Sequence, residues 1–157
     1  MTAPGIRAFR WSDIPAAVAI ESESFAHNKW SAESFWGELA GIPWRARYFA
    51  LVGDGDLVGY AGVAFIDGDA HLQTIAVTPP ARGRGYGRML IDTVLQEATA
   101  HGAGRCLLEV QANNVTAIQI YEWAGFEQLS VRPRYYAGGH DALVLCRALS
   151  APTAVTN

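Results

Sequence analysis

Between residues 70 and 101 the chain passes from strand to helix through a turn of glycines and arginines, Arg82-Gly83-Arg84-Gly85-Tyr86-Gly87-Arg88. That junction constrains the fold more than any other stretch. Residues 70–77 read as a strand that Pro79-Pro80 stops. Residues 86–101 then place Ile91, Val94, Leu95 and Ala98 on one helical face, and an apolar strand follows at 105–110. A strand, a helix and another strand in succession require a crossover, and with it a parallel pair in the sheet. Upstream the signals differ. Segments 47–52, 57–66 and 70–77 are separated by the turns Gly53-Asp54-Gly55-Asp56 and Gly68, which predicts an antiparallel meander.

The remaining segments complete a mixed pattern. Ile6–Phe9 suits a short first strand. Ser12 is expected to cap a helix over 13–25 with Pro15 in its first turn and Ile14, Ala17, Val18 and Phe25 inward. Ser31 is expected to cap a second helix carrying Phe35 and Leu39, which Pro43 ends. A helix over 114–124 turns Ala117, Ile120, Tyr121 and Ala124 inward, and strands at 126–131 and 142–148 finish the chain. Asp67, Asp69 and Asp141 read as turn residues. The order β-α-α-β-β-β-α-β-α-β-β predicts an α/β fold with a mixed sheet and helices on both faces. One domain is expected over residues 1–149, with 150–157 a small, polar, frayed tail.

Composition narrows the function classes. The chain has 157 residues, enough for one substantial core; half are hydrophobic and 17% charged, an ordinary globular balance. A net charge of −3 argues against direct nucleic-acid binding over the whole surface. No apolar run approaches the ~18–20 residues of a membrane span, and Met1–Phe9 lacks the basic and apolar stretches of a signal peptide. A cytoplasmic monomer or weak homodimer is the expectation. Cys106 and Cys146 lie in apolar segments and read as buried thiols rather than a disulfide framework. His27, His71, His101 and His140 show no metal-ligand spacing, so no metal is expected.

Glycine lets a backbone turn tightly and lets a ligand approach without an intervening Cβ. The turn opens a helix, whose free N–H groups and dipole favour an anion. Arg82, Arg84 and Arg88 add charge-assisted bonds, so a pyrophosphate is the natural occupant. The dinucleotide spacing G-x-G-x-x-G fails, because its last position is Arg88 or Leu90, and no Gly-Lys-Ser/Thr follows as in a P-loop. What remains is Arg82-x-x-Gly85-x-Gly87 after Thr74-Ile75-Ala76-Val77. This resembles the acetyl-CoA motif of the GCN5-related N-acetyltransferases, the GNAT family.

Further motifs fall in the family's order. Leu108-Glu109-Val110-Gln111-Ala112-Asn113-Asn114, then Ala117-Ile118, Tyr121-Glu122 and Gly125-Phe126, resemble its second half. Trp30-Ser31 and Arg132-Pro133-Arg134-Tyr135-Tyr136 resemble the Trp-Ser entrance and Arg-x-x-Tyr-Tyr loop of the RimI-type branch, the ribosomal-protein alanine N-acetyltransferases. The resemblance covers roughly residues 6–148.

The resemblance implies acetyl-CoA as co-substrate. Its pyrophosphate would meet Arg82, Gly83, Arg84, Gly85, Tyr86, Gly87 and Arg88. Its pantetheine arm would meet the backbone of Ile75, Ala76 and Val77, and Asn114. Glu109 is implied as the base that deprotonates the acceptor ammonium, and Tyr121 as the acid that protonates the departing thiolate. Trp30, Tyr135 and Tyr136 are implied as walls of an acceptor pocket for a protein N-terminus, the alanine of a small-subunit ribosomal protein.

The residues alone allow plainer roles. Glu109, opposite in facing to Leu108 and Val110, is either a partly desolvated base or a strand-end carboxylate paired to an arginine. Tyr121 is by periodicity a core aromatic. Asn114 is a good helix cap, and Trp30, Tyr135 and Tyr136 can serve packing. Lys29, Gln111 and Pro133 depart from the branch's pattern, which bears on the acceptor more than on acetyl transfer. A lysine or small-molecule amine is the alternative acceptor, and a non-catalytic acyl-CoA-binding module the alternative of another class.

Overall fold

One seven-stranded sheet organises the computed structural model, which describes residues 3–25, 29–136 and 138–149. In chain order the strands are β1 (Gly5–Ala8), β2 (Ala46–Gly53), β3 (Asp56–Ile66), β4 (Asp69–Val77), β5 (Arg105–Gln111), β6 (Glu127–Tyr136) and β7 (His140–Ala148). Side by side they run β1-β2-β3-β4-β5-β7-β6. Every pairing is antiparallel except β4 with β5, the parallel pair that the crossover requires. The helices are α1 (Ile14–Ser24), α2 (Ala32–Leu39), α3 (Tyr86–Ala100) and α4 (Val115–Trp123).

Strand alternation divides the core into two layers. Phe9, Ile14, Ala17, Phe35, Tyr48, Tyr60 and Ala76 form the layer under α1 and α2. Leu72, Leu90, Val94, Cys106, Leu108, Val110 and Tyr121 form the layer under α3 and α4. Because Leu108 and Val110 point to the second layer, Glu109 emerges on the α1/α2 face.

The feature that shapes the site is the parting of β4 from β5. They pair at Ala70–Cys106 and His71–Leu107 and no further. Just beyond, the β3–β4 register steps from Val63–Leu72 to Gly62–Thr74, which leaves Gln73 as an extra residue in β4. Such a bulge bends its strand and increases the twist, here at the point of separation. Gln73 Oε1 accepts the Tyr48 hydroxyl at 2.6 Å. Tyr48 pairs with Gly62 across β2–β3, and its ring lies over that glycine, where a Cβ would come within 2.1 Å of it.

Some local expectations need correction. Ser12 does not cap α1. A 3-10 turn over Trp11–Asp13 precedes the helix, and Asp13 stands at the N-cap without a side-chain bond to it; its carboxylate instead takes Arg7 bidentately at 2.7 and 2.8 Å and the Arg10 N–H at 2.7 Å. Ser31 does cap α2 (Ser34 N–H, 3.2 Å) and Asn114 caps α4 (Ala117 N–H, 3.3 Å). The last hairpin is longer than expected, with β6 running to Tyr136 through Pro133. Proline fits because β6 is an edge strand with irregular pairing between Arg132 and Tyr136. Cys106 is buried but Cys146 is half-buried, and both are free thiols. Burial pushes the Cys106 thiol up to about 12. The expected tail, 150–157, lies outside the described residues.

The Arg7 hydrogen bond, aided by the Arg10 N–H and opposed by burial, holds the Asp13 carboxyl below the usual range. Its stabilisation is therefore present above an unfolded carboxyl's ~3.9 and disappears as pH falls through the lower folded value. Asp13→Asn is expected to cost about 2 kcal/mol at neutral pH. Urea melts of both proteins should show that difference shrinking below about pH 4.

Candidate active site

The parting strands expose backbone. Thr78 N–H donates to Val58 O at 2.8 Å across to β3. Alternation then directs Ala76 toward β3, and turns the N–H and C=O of Ile75 and Val77 toward the gap beside β5. Of the three residues expected to meet a pantetheine arm, Ile75 and Val77 therefore face the cleft and Ala76 faces its neighbour strand.

The glycine turn lies at the end of β4. Gly83 and Gly85 have φ of +79° and +86°, and Gly85 occupies the N-cap of α3. No side chain caps that helix, and a Cβ placed on Gly83, Gly85 or Gly87 would meet nothing within 4 Å. The glycines thus leave open space above a bare helix N-terminus. Arg84 is exposed beside it. Arg88 packs its guanidinium over the exposed Trp123 ring of α4 at 4.3 Å. Arg82 is committed elsewhere: its Nε donates to Val77 O and its Nη2 to Ser24 Oγ, both at 2.9 Å. It shapes the turn and ties it to α1.

The far bank gathers four of the expected residues. Glu109 keeps 30% of its side chain exposed and pairs with Arg132 Nη1 at 3.1 Å, so the arginine pairing weighed from the sequence is present. Hydrogen bonding to Glu109 raises the Tyr135 phenol, and Arg132 lies 5.4 Å from the Tyr135 ring. Tyr136 packs edge-on against Tyr135 at 5.1 Å. Burial, then the Glu109 charge, pushes the Tyr136 phenol up to about 12. Tyr121, 7% exposed, meets Phe126 edge-on at 5.9 Å. Burial raises its phenol well above the ordinary value, and Tyr136 adds to the rise. Tyr136 thus lies within electrostatic reach of both Glu109 and Tyr121.

Trp30 is not part of that group. Its ring packs on Phe35 at 5.2 Å and Tyr48 at 6.0 Å, on the near bank. Its N–H leads to a residue that the sequence reading missed. Glu21 is 1% exposed and accepts the Trp30 N–H at 3.0 Å, Thr74 Oγ1 at 2.8 Å and the Tyr60 hydroxyl. The signal was available: Glu21 stands four residues after Ala17 and seven after Ile14, inside the apolar stripe of α1. Among the described residues, no group of three His, Cys, Asp or Glu side chains is placed to hold a metal ion.

The model of the acetyltransferase (GNAT) family matches residues 10–126. The chain belongs to the GNAT family. As a GNAT enzyme it is an N-acetyltransferase that uses acetyl-CoA. Among similar proteins is the putative [ribosomal protein bS18]-alanine N-acetyltransferase of Bacillus subtilis, 33% identical over 145 residues, with 92% of this chain and 95% of that one covered. The [ribosomal protein bS18]-alanine N-acetyltransferase of Salmonella typhimurium is 34% identical over 88% of this chain and 93% of its own. The crystal structure of the Escherichia coli ribosomal-protein-S18-alanine N-acetyltransferase superposes with a TM-score of 0.84 at 29% identity, over 98% and 99% of the two chains. An uncharacterised Mycobacterium leprae protein is 39% identical, but this chain spans 38% of its length.

Proposed function

We propose that this GNAT enzyme acetylates a protein N-terminal amine, and that its acceptor is the alanine at the N-terminus of ribosomal protein bS18. The observation that carries the reading is near full-length similarity, at 31–34% identity, to proteins named for that acceptor. A Mycobacterium tuberculosis relative named N-alpha-acetyltransferase RimI, 31% identical over 94% of each chain, favours an α-amine over a lysine side chain. A ribosomal acceptor would place the enzyme in the cytoplasm. No helix among the described residues is long and apolar enough to cross a membrane.

The residues present fit coenzyme A. The open glycines, the uncapped start of α3, and Arg84 and Arg88 suit a pyrophosphate. The cleft-facing backbone of Ile75 and Val77 and the amide of Asn114 suit the arm. When bound, acetyl-CoA supplies the activated acetyl group. Glu109 takes the proton an acceptor ammonium must lose before its nitrogen can attack. A backbone N–H of the parted β4 polarises the carbonyl under attack. Tyr121, a phenol and so protonated through the neutral range, with burial raising it further, hands its proton to the departing sulfur. Tyr135 and Tyr136 wall the acceptor side, and the thiol of Cys106 has no part in the reaction.

Mass spectrometry of peptides incubated with enzyme and acetyl-CoA tests the acceptor. A bS18 N-terminal peptide should gain one acetyl group at its α-amine. The same peptide with that amine blocked and a lysine added should gain none; acetylation of the lysine would overturn the reading.

A further inference from the structure

Glu21, 1% exposed, is a buried charged group that the proposed reaction does not use, and its bonds join parts that the reaction needs held together. Its Oε1 takes Thr74 of β4 at 2.8 Å and the Tyr60 hydroxyl of β3. Its Oε2 takes the Trp30 backbone N–H at 3.0 Å. Thr74 immediately precedes Ile75, whose backbone faces the cleft. Trp30 follows α1 and lies on the α1/α2 face, the face from which Glu109 emerges across the gap. A single carboxylate therefore fixes the near wall of the acceptor side to the strand that borders the cofactor.

Stability alone is a weak reason for a carboxylate in this position. Removing such a charge from water is costly, and well-packed apolar side chains commonly replace buried ionic groups without loss. What a carboxylate offers over an apolar group is direction, because charge-assisted bonds to several donors lock them in one arrangement. Thr74 and Tyr60 stay in the β3–β4 ladder without it. The Trp30 N–H is the donor that would lose its place.

We propose that Glu21 is a positioning residue for the acceptor: by holding Trp30 to β4 it sets the near wall of the acceptor pocket. This rests on the N-terminal acetyltransferase reading above. Glu21→Met keeps the volume and removes the acceptors. Glu21→Gln restores the three contacts, since its Oε1 can take the Trp30 N–H while its amide N–H groups donate to the two hydroxyl oxygens.

The test combines steady-state kinetics on the bS18 N-terminal peptide at saturating acetyl-CoA with calorimetric coenzyme A binding. Glu21→Met should raise the peptide KM about tenfold or more, with kcat within about threefold and coenzyme A affinity within about twofold. Glu21→Gln should return KM to within about threefold of wild type. If Glu21→Met fails to fold, Glu21→Asp, about one C–C bond too short to reach Trp30, should raise KM in the same way. An unchanged KM in the folded variant overturns the proposal. So does a parallel loss of coenzyme A affinity that Gln does not repair, which marks a purely structural role. Wild-type enzyme inactive on every N-terminal peptide overturns the function reading and takes this inference with it. Active wild type with unaltered variants overturns this inference alone.

Discussion

Glu109→Gln should lower kcat/KM for the acceptor amine by about 10²–10⁴-fold, the range that general acid–base groups contribute. The substitution is nearly isosteric. Its amide oxygen can still accept from Arg132 or Tyr135, the partners Glu109 holds now, so the fold and coenzyme A binding should survive. What the amide cannot do is take a proton. The deficit should therefore depend on pH. An α-amine has a pKa of ~7.7–8.0, so above about pH 8.5 much of the acceptor is already neutral and the variant should recover part of the loss. Tyr121→Phe should cost about 10²-fold, the low end of that range, without that recovery, because it removes the donor to sulfur rather than the base. Rates measured from pH 6.5 to 9.5 separate the two. A deficit in Glu109→Gln below about threefold across that range would mean that the Arg132 pairing is its whole role.

Gly62→Ala should destabilise the protein by about 3 kcal/mol or more, at the upper end for overpacking. The added methyl would sit 2.1 Å from the Tyr48 ring, and the ring cannot step aside freely. Its hydroxyl is held by Gln73 Oε1, and its ring packs against Phe9 and Trp30. The same change should disturb the β4 bulge that parts the strands, so coenzyme A affinity should fall with stability. Gly55→Ala is the control. Nothing lies within 4 Å of its added Cβ, and its φ of +84° leaves only backbone strain, about 1–2 kcal/mol. Urea melts that rank Gly55→Ala as the more costly would refute this account of the Tyr48–Gly62 contact.

Period and punctuation carried much of the fold into the sequence. The strand–turn–helix at residues 70–101 required the parallel pair, and β4, α3 and β5 lie where it placed them. Ser31 and Asn114 were legible as caps because capping is local chemistry. Ser12 misled because Asp13, one residue on, found a tertiary partner in Arg7, which lies on a different element. The strand containing Pro133 was hidden because proline argues against a strand until the edge position is known.

At the site, Glu109, Tyr135 and Tyr136 come from strands that lie side by side only in the folded sheet, β5 and β6 with β7 between them. The resemblance suggested that grouping, and periodicity alone could not. The bulge at Gln73 has no local signature, since it depends on Tyr48 reaching across from β2. Arg82 reads as a phosphate ligand by charge and spacing; its further bonds to Val77 O and Ser24 Oγ were not legible, because Ser24 lies 58 residues away. Glu21 was overlooked because a single acid in an apolar stripe reads as noise until its three donors, from three different parts of the chain, are seen together.

Acetylation of the bS18 N-terminus by this enzyme can be read directly in cells. Mass spectrometry of protein N-termini from a strain lacking the enzyme, beside its parent, tests it most directly. The bS18 N-terminal alanine should carry an acetyl group in the parent and a free amine in the deletion strain. A plasmid encoding wild type should restore the acetyl group and one encoding Glu109→Gln should not. A bS18 N-terminus equally acetylated in both strains would contradict the proposed acceptor.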